Sequence, residues 1–160
     1  MRNINKLISM LSIVGLISGC NMTSKNEFEW SVSKSGPSKY PVEILSGTLY
    51  YKGLEQGHGI STGAVGGGWG TGHSSTTPVT KILPDRLDIL FYSYLENQSY
   101  RGQFELPYDK LVELFQWGID NPKKRGNTYL PMFSDFIIGV APGGTVGIWL
   151  AGQDEQREVF

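Results

Sequence analysis

The chain is poor in the residues that most readily declare a chemistry. Cys20 is the only cysteine among 160 residues, so no disulfide can form within the chain and no cysteine zinc cluster can be built. Stability must therefore come from packing. His58 and His73 are the only histidines and make no i, i+4 pair; they read as exposed side chains bracketing a polar loop, with no metal or cofactor expected. Neither sign of charge dominates, with 14 Lys and Arg against 15 Asp and Glu. That balance excludes the basic footprint of nucleic-acid binding and any strong attraction to anionic lipid heads. Long apolar runs are also missing. The longest, Leu7 to Ile17, has 11 residues, against about 20 for a membrane-spanning helix. There is no internal repeat and no linker pointing to a second domain.

That short run has a purpose of its own. Arg2 and Lys6 precede it as a positive n-region, and the run itself has the length of a secretory h-region. Ile17-Ser18-Gly19-Cys20 then resembles the bacterial lipobox, with an aliphatic residue, two small residues and a cysteine. Small residues let an extended backbone enter a peptidase, and the thiol is the nucleophile that takes up a diacylglyceryl group. The plainer alternative is an ordinary signal peptide with a chance cysteine. The expected organisation is a signal peptide over residues 1–19, a lipidated Cys20 with a tether over 20–26, and one β-rich domain over 27–160. Each buried CH₂ of an acyl chain contributes about 0.8 kcal/mol, so two or more chains hold where one is marginal. Asn21, where Asp commonly marks inner-membrane retention, favours the outer membrane with the domain facing the periplasm. Loss of Arg2 and Lys6 leaves 12 cations against 15 anions in the mature chain, a net charge of −3.

Downstream, generous glycine and aromatic content suits a β-rich fold with tight turns. Strand patterns run over 28–33 and 40–52, with a turn at 35–38. Residues 57–72 hold eight glycines in 16 positions and lose all hydrophobic period, which predicts a loop or a bulged, irregular strand pair around Trp69. Order returns over 78–83, before a Pro84-Asp85 turn. Arg86 to Glu96 alternates clearly: Leu87, Ile89, Phe91 and Leu95 share one face with Ser93, while Arg86, Asp88, Tyr92, Tyr94 and Glu96 share the other. A turn at 96–99 returns the chain along 100–106. That register pairs Phe91 with Phe104, Ile89 with Leu106, Tyr94 with Arg101 and Tyr92 with Gln103. Helical spacing of Leu111, Leu114, Phe115 and Ile119 predicts one principal helix over about 107–121, with Pro107 in its first turn. Lys123 to Gly126 reads as a basic loop. Strands over 136–140 and 145–151 flank a Pro142-Gly143 type II turn, and 154–160 reads as a last edge strand. The expected class is α+β, mainly antiparallel sheet in a sandwich-like arrangement.

Three patterns invite a chemical interpretation. Gly59-Ile60-Ser61-Thr62-Gly63 matches a G-x-S-x-G nucleophile elbow beside His58, but such an elbow needs a strand before the serine and a helix after it. Neither is predicted, so a Ser61 hydrolase is the weakest of the functional alternatives. The glycines also lack the G-K-[ST] of a phosphate cradle. Asp88 and Glu96 lie about 26 Å apart along an extended strand, too far for an acid/base pair. Glu96 is expected to pair with Arg101 at the hairpin end. Tyr92, Tyr94 and Arg101 form either a second core layer under the helix, the preferred alternative, or an exposed aromatic surface of the type enriched at interfaces. Trp69 is either a core plug beneath the glycine loop or a contact residue.

Spaced residues over most of the chain are similar to the DUF2931 lipoproteins. They are Trp30, Tyr40-Pro41-Val42, Gly68-Trp69-Gly70, Leu83-Pro84-x-Arg86-Leu87, Ser93-x-x-Glu96-x-x-x-Tyr100, Leu106-Pro107, and Gly139-Val140-Ala141-Pro142-Gly143-Gly144-x-Val146-x-x-Trp149-Leu150. The resemblance implies a small envelope lipoprotein of undefined molecular activity, and it brings no catalytic residues. It raises the interest of Trp69, Glu96 and Tyr100. The expected function is a non-enzymatic protein-binding module, in its specific form an immunity protein against an effector delivered to the periplasm. A structural or accessory envelope lipoprotein is the alternative. The candidate surface is Trp69, Tyr92, Tyr94, Glu96, Tyr100 and Arg101, and the expected partners are the membrane, through the lipid, and a periplasmic protein.

Overall fold

A computed structural model describes residues 26–160; the expected signal peptide, Cys20 and residues 21–25 lie outside them. The described strands are β1 (Ser31–Gly36), β2 (Val42–Tyr51), β3 (Gly57–Gly59), β4 (Gly63–Val65), β5 (Gly68–Thr76), β6 (Pro84–Ser93) and β7 (Gln98–Glu105). After the helix α1 (Tyr108–Asp120) come β8 (Lys123–Arg125), β9 (Thr128–Leu130), β10 (Asp135–Ala141), β11 (Thr145–Ala151) and β12 (Gln156–Glu158). The class is α+β with β predominant. One sheet has the order β12-β11-β10-β1-β5, and a second has β3-β2-β6-β7 with β4 also on β2. β8 and β9 form a separate hairpin where a basic loop was expected.

Both sheets feed one hydrophobic cluster. Val32, Phe136, Ile138 and Ile148 enter from the first sheet, and Ile44, Leu49, Leu87 and Phe91 from the second. The helix adds Leu111, Leu114 and Phe115, with the Phe115 ring 5.4 Å from Phe28 and 5.6 Å from Phe136. Pro107 is the residue before the helix rather than its first turn, and Ile119, expected on the buried face, is 45% exposed. Gly118 takes that contact instead, because the backbone nitrogen of Phe133 lies 3.0 Å from where a Cβ would stand. A side chain there has no room.

The first strand starts three residues later than its apolar pattern suggests and runs on through Lys34 and Ser35. Polar residues continue the strand because each has a partner: Ser31 and Ser33 donate to Asp135, Ser35 to the Gly68 carbonyl, and Lys34 to the Thr62 carbonyl. β1 pairs with β10 in parallel, an exception to the antiparallel rule. Most of the chain lies between these two strands, ample for the crossover that parallel pairing requires. Residues 57–72 take the irregular strand form, and β5 crosses β1 with two register shifts. Residues 78–83 are not a strand; a single bridge from Ile82 to Glu27 is their only ladder pairing, and Pro84 opens β6 instead of a turn.

The β6–β7 hairpin turns earlier than predicted. Its loop is Tyr94 to Asn97, two residues upstream of 96–99, which moves the register by four. Phe91 therefore faces Tyr100, Leu87 faces Phe104, Leu90 faces Arg101 and Tyr92 faces Ser99. An even shift keeps each side chain on its predicted face, so the apolar set of β6 remains buried. Leu95 is the exception, carried into the loop and 62% exposed. Asn97 closes the turn at φ 50°, a left-handed conformation that Asn tolerates better than most residues. At the other end, Gly143 adopts φ 78°, as the predicted type II turn requires.

Candidate functional site

Three clusters gather the candidate residues. Glu96 does not meet Arg101. Its two carboxylate oxygens accept the Gly143 backbone N–H at 3.0 and 2.9 Å. Tyr100 packs beside this contact, stacked on Phe91 with ring centroids 5.4 Å apart. Its ring comes within 2.9 Å of the position a Cβ on Gly144 would take. The β6–β7 turn of one sheet is thus clasped to the β10–β11 turn of the other. The Gly143 N–H, then Ser93 and Tyr100, hold the Glu96 carboxyl below its ordinary range. Ser93 Oγ is buried near that carboxylate without a well-formed hydrogen bond.

Trp69 belongs to the first sheet. Its ring meets Trp149 edge-on at 90°, with centroids 5.1 Å apart. Both rings lie over Gly139 and Gly147, which face each other across β10 and β11. Ile137 and Trp149 are buried yet stand outside the main cluster, on the far face of the sheet. Trp69 covers that face while remaining 44% exposed itself. It is a lid on the outside of the sheet rather than a plug in the main core.

Tyr92, Tyr94 and Arg101 correct the preferred reading: they are not a core layer under the helix. The helix packs on Phe28 and Phe136, leaving this side of β6 and β7 open. Tyr94 is 51% exposed, in edge contact with Tyr92 at 5.1 Å. Tyr94 donates to Glu43 and Tyr92 to Asn97. Arg101 donates to Asp88 at 3.1 Å, and Gln103 to the same carboxylate at 2.8 Å. Those two bonds, ahead of the charge itself, hold the Asp88 carboxyl below its usual value. Arg86 extends the face, its guanidinium 4.3 Å from the Tyr50 ring centroid. The second sheet therefore presents an outward surface of tyrosines and charges pinned by mutual bonds.

The elbow geometry does not form. Ser61 lies in the connection between β3 and β4, with a strand rather than a helix after it. His58 shares a 3.0 Å hydrogen bond with Thr76 Oγ1 and stands edge-on to Trp30, with burial lowering its pKa. His73 is exposed on β5, opposite Lys34. No three His, Cys, Asp or Glu side chains among the described residues converge as a metal site would require.

Two ionisable groups, one half-buried and one buried, escaped sequence reasoning. Asp135 sits between Ser31 and Ser33, and its pKa is raised by desolvation, which their hydroxyls oppose. Lys34 is buried and reaches from the first sheet to the Thr62 carbonyl, with desolvation lowering its pKa against the pull of Glu43. The only signal was the polar run Ser31-Val32-Ser33-Lys34-Ser35, which reads equally as the end of a strand.

A β-dominated α+β architecture, clasped between two turns and lidded by a tryptophan pair, is the class these features define. The spaced residues noted in the sequence are its joints: Glu96 meets Gly143 and Tyr100 meets Gly144, while Trp69 meets Gly139, Gly147 and Trp149. The chain belongs to the family described as protein of unknown function (DUF2931), which matches residues 19–159. No curated protein and no solved structure matches it.

Proposed function

We propose that this chain is an envelope lipoprotein, anchored through Cys20 in the outer membrane, whose periplasmic domain is a non-enzymatic protein-binding module. The observation that supports the binding role is the outward face of Tyr92, Tyr94 and Arg101, where bonds to Asn97, Glu43 and Asp88 hold the side chains in place. Tyrosine and arginine dominate binding energy at interfaces, and side chains already ordered lose less entropy on docking. Face-to-face packing of the two sheets as a sandwich is our reading of the shared core. In its specific form the module is an immunity protein that captures an effector arriving in the periplasm.

The test is capture from envelope extracts by the wild-type chain and by a Tyr92→Ala/Tyr94→Ala variant. Loss of specific proteins from the variant's eluate supports the face as the binding surface. Identical eluates refute it, and the absence of an effector gene beside this one counts against the immunity role. For the anchor, Cys20→Ser should leave an unprocessed precursor without lipid label; normal maturation would overturn it.

A further inference from the structure

Edge strands expose unpaired N–H and C=O groups, and proteins usually protect them by shortness, bulges, proline or lysine. Among the described residues, three of the edges of the two main sheets are protected. β12 and β3 have three residues each, and β5 has two register shifts against β1. β7 is neither short nor bulged nor broken by proline, and its two charges, Arg101 and Glu105, are of opposite sign. It runs for eight residues, Gln98-Ser99-Tyr100-Arg101-Gly102-Gln103-Phe104-Glu105, in unbroken register with β6, without proline or lysine. An open groove lined by Arg86, Gln103, Phe104 and Glu105 runs beside its second half.

We propose that β7 is a self-association edge, at which a second copy of this chain adds its own β7 antiparallel, with the two-fold axis at Gln103. The strand's own sequence selects both occupant and register. Backbone groups along a strand point alternately inward and outward, so pairing with a copy must match like positions and the axis must fall on a residue. An axis at Arg101 sets two arginines against each other, and one at Gly102 opposes Arg101 to Gln103 and Glu105 to Ser99. Only an axis at Gln103 opposes Arg101 to the second copy's Glu105, twice by symmetry. Glu105 is exposed, and Arg101 bonds Asp88 of β6 through Nη2 while its side chain stays 68% exposed, open to a second acceptor. Directly opposed unlike charges stabilise an antiparallel pair, and like charges destabilise it. The two-fold axis stands perpendicular to the sheet, joining two five-stranded sheets into one. Both tyrosine faces then lie on the same side. This association stands independently of the proposed partner binding.

The full-length chain in detergent should sediment as a concentration-dependent dimer. Glu105→Arg should weaken dimerisation about tenfold, by replacing two attractive pairs with two repulsive ones. The double variant Arg101→Glu/Glu105→Arg, made in an Asp88→Asn background so that the carboxylate at 101 meets no like charge on β6, should restore it. In a Cys20→Ser chain, Gln103→Cys should form a disulfide-linked dimer under mild oxidation, because directly opposed strand positions bring Cα atoms within disulfide range. Ser99→Cys, which has no self-facing partner, should crosslink at least about tenfold less. A monomer at all concentrations overturns the proposal and leaves the edge to an extended segment of another protein. A dimer indifferent to Glu105→Arg, crosslinking equally at positions 99 and 103, overturns it as well.

Discussion

Gly147→Ala tests the tryptophan lid most directly, because the sign of its effect depends on the packing. Glycine in a strand interior is less stable than alanine by roughly 0.5–1 kcal/mol, so the substitution stabilises wherever space is open. Gly147 has no left-handed φ to protect. Space is what it lacks: a Cβ there meets Trp149 at 2.8 and 3.3 Å and Trp69 at 3.0 Å. Trp149 is buried in the sheet face and cannot retreat, so Trp69, the more exposed ring, must swing away. That forfeits an edge-to-face pair of about 0.5–1.5 kcal/mol, in addition to an overpacking cost of about 1–3 kcal/mol. A net loss of about 2 kcal/mol results, which lowers Tm by about 6 °C for a domain of this size. Thermal unfolding followed by near-ultraviolet circular dichroism reads both the shift and the loss of the Trp69–Trp149 coupling. In a Trp69→Ala background the penalty should shrink without vanishing, since the Trp149 contacts remain. A Gly147→Ala variant with raised Tm would refute the packing account.

Two further predictions concern titration. The Glu96 pKa is depressed in the folded state, so its stabilisation is present above the unfolded carboxylate value of about 4.3 and is lost as pH falls through the folded value. Glu96→Gln should flatten the acid side of the Tm–pH profile, and a variant with the wild-type slope would exclude the clasp as its source. Asp135 has the opposite sign: its raised folded pKa makes stability fall as pH rises from about 3.9 through the folded value. Asp135→Asn should remove that decline and raise the urea midpoint at neutral pH, as titrations at pH 4 and pH 7 would show; equal losses at both pH values would refute the desolvation account.

Patterns confined to one element carried over into the fold well. The β10–β11 hairpin, its Pro142-Gly143 turn and the helix appear where their local signals place them. The β6–β7 hairpin shows the limit. Alternation assigned the faces of Leu87, Ile89 and Phe91, but a register four residues away keeps the same faces, so alternation could not choose between them. The choice came from Glu96 reaching Gly143 and from Asn97 accepting a left-handed φ. Lys34 and Asp135 were illegible for a related reason. A polar residue can be buried only where a distant partner satisfies it, and their partners are 28 residues away, at Thr62, and about a hundred residues away, at Ser31 and Ser33.

By itself, the sequence determined the class: too few cysteines for crosslinks, too short an apolar run for a spanning helix, and enough alternation for a β-rich domain. Those properties are local or compositional, so no contact map is needed to obtain them. Only the tertiary structure decided what Trp69, Glu96 and Tyr100 do, and which strand edge was left open. Glu96 is an interaction point between two turns 47 residues apart, and Trp69 a lid over glycines in two other strands. Their roles lie in distances between segments, and chain order alone does not specify those distances.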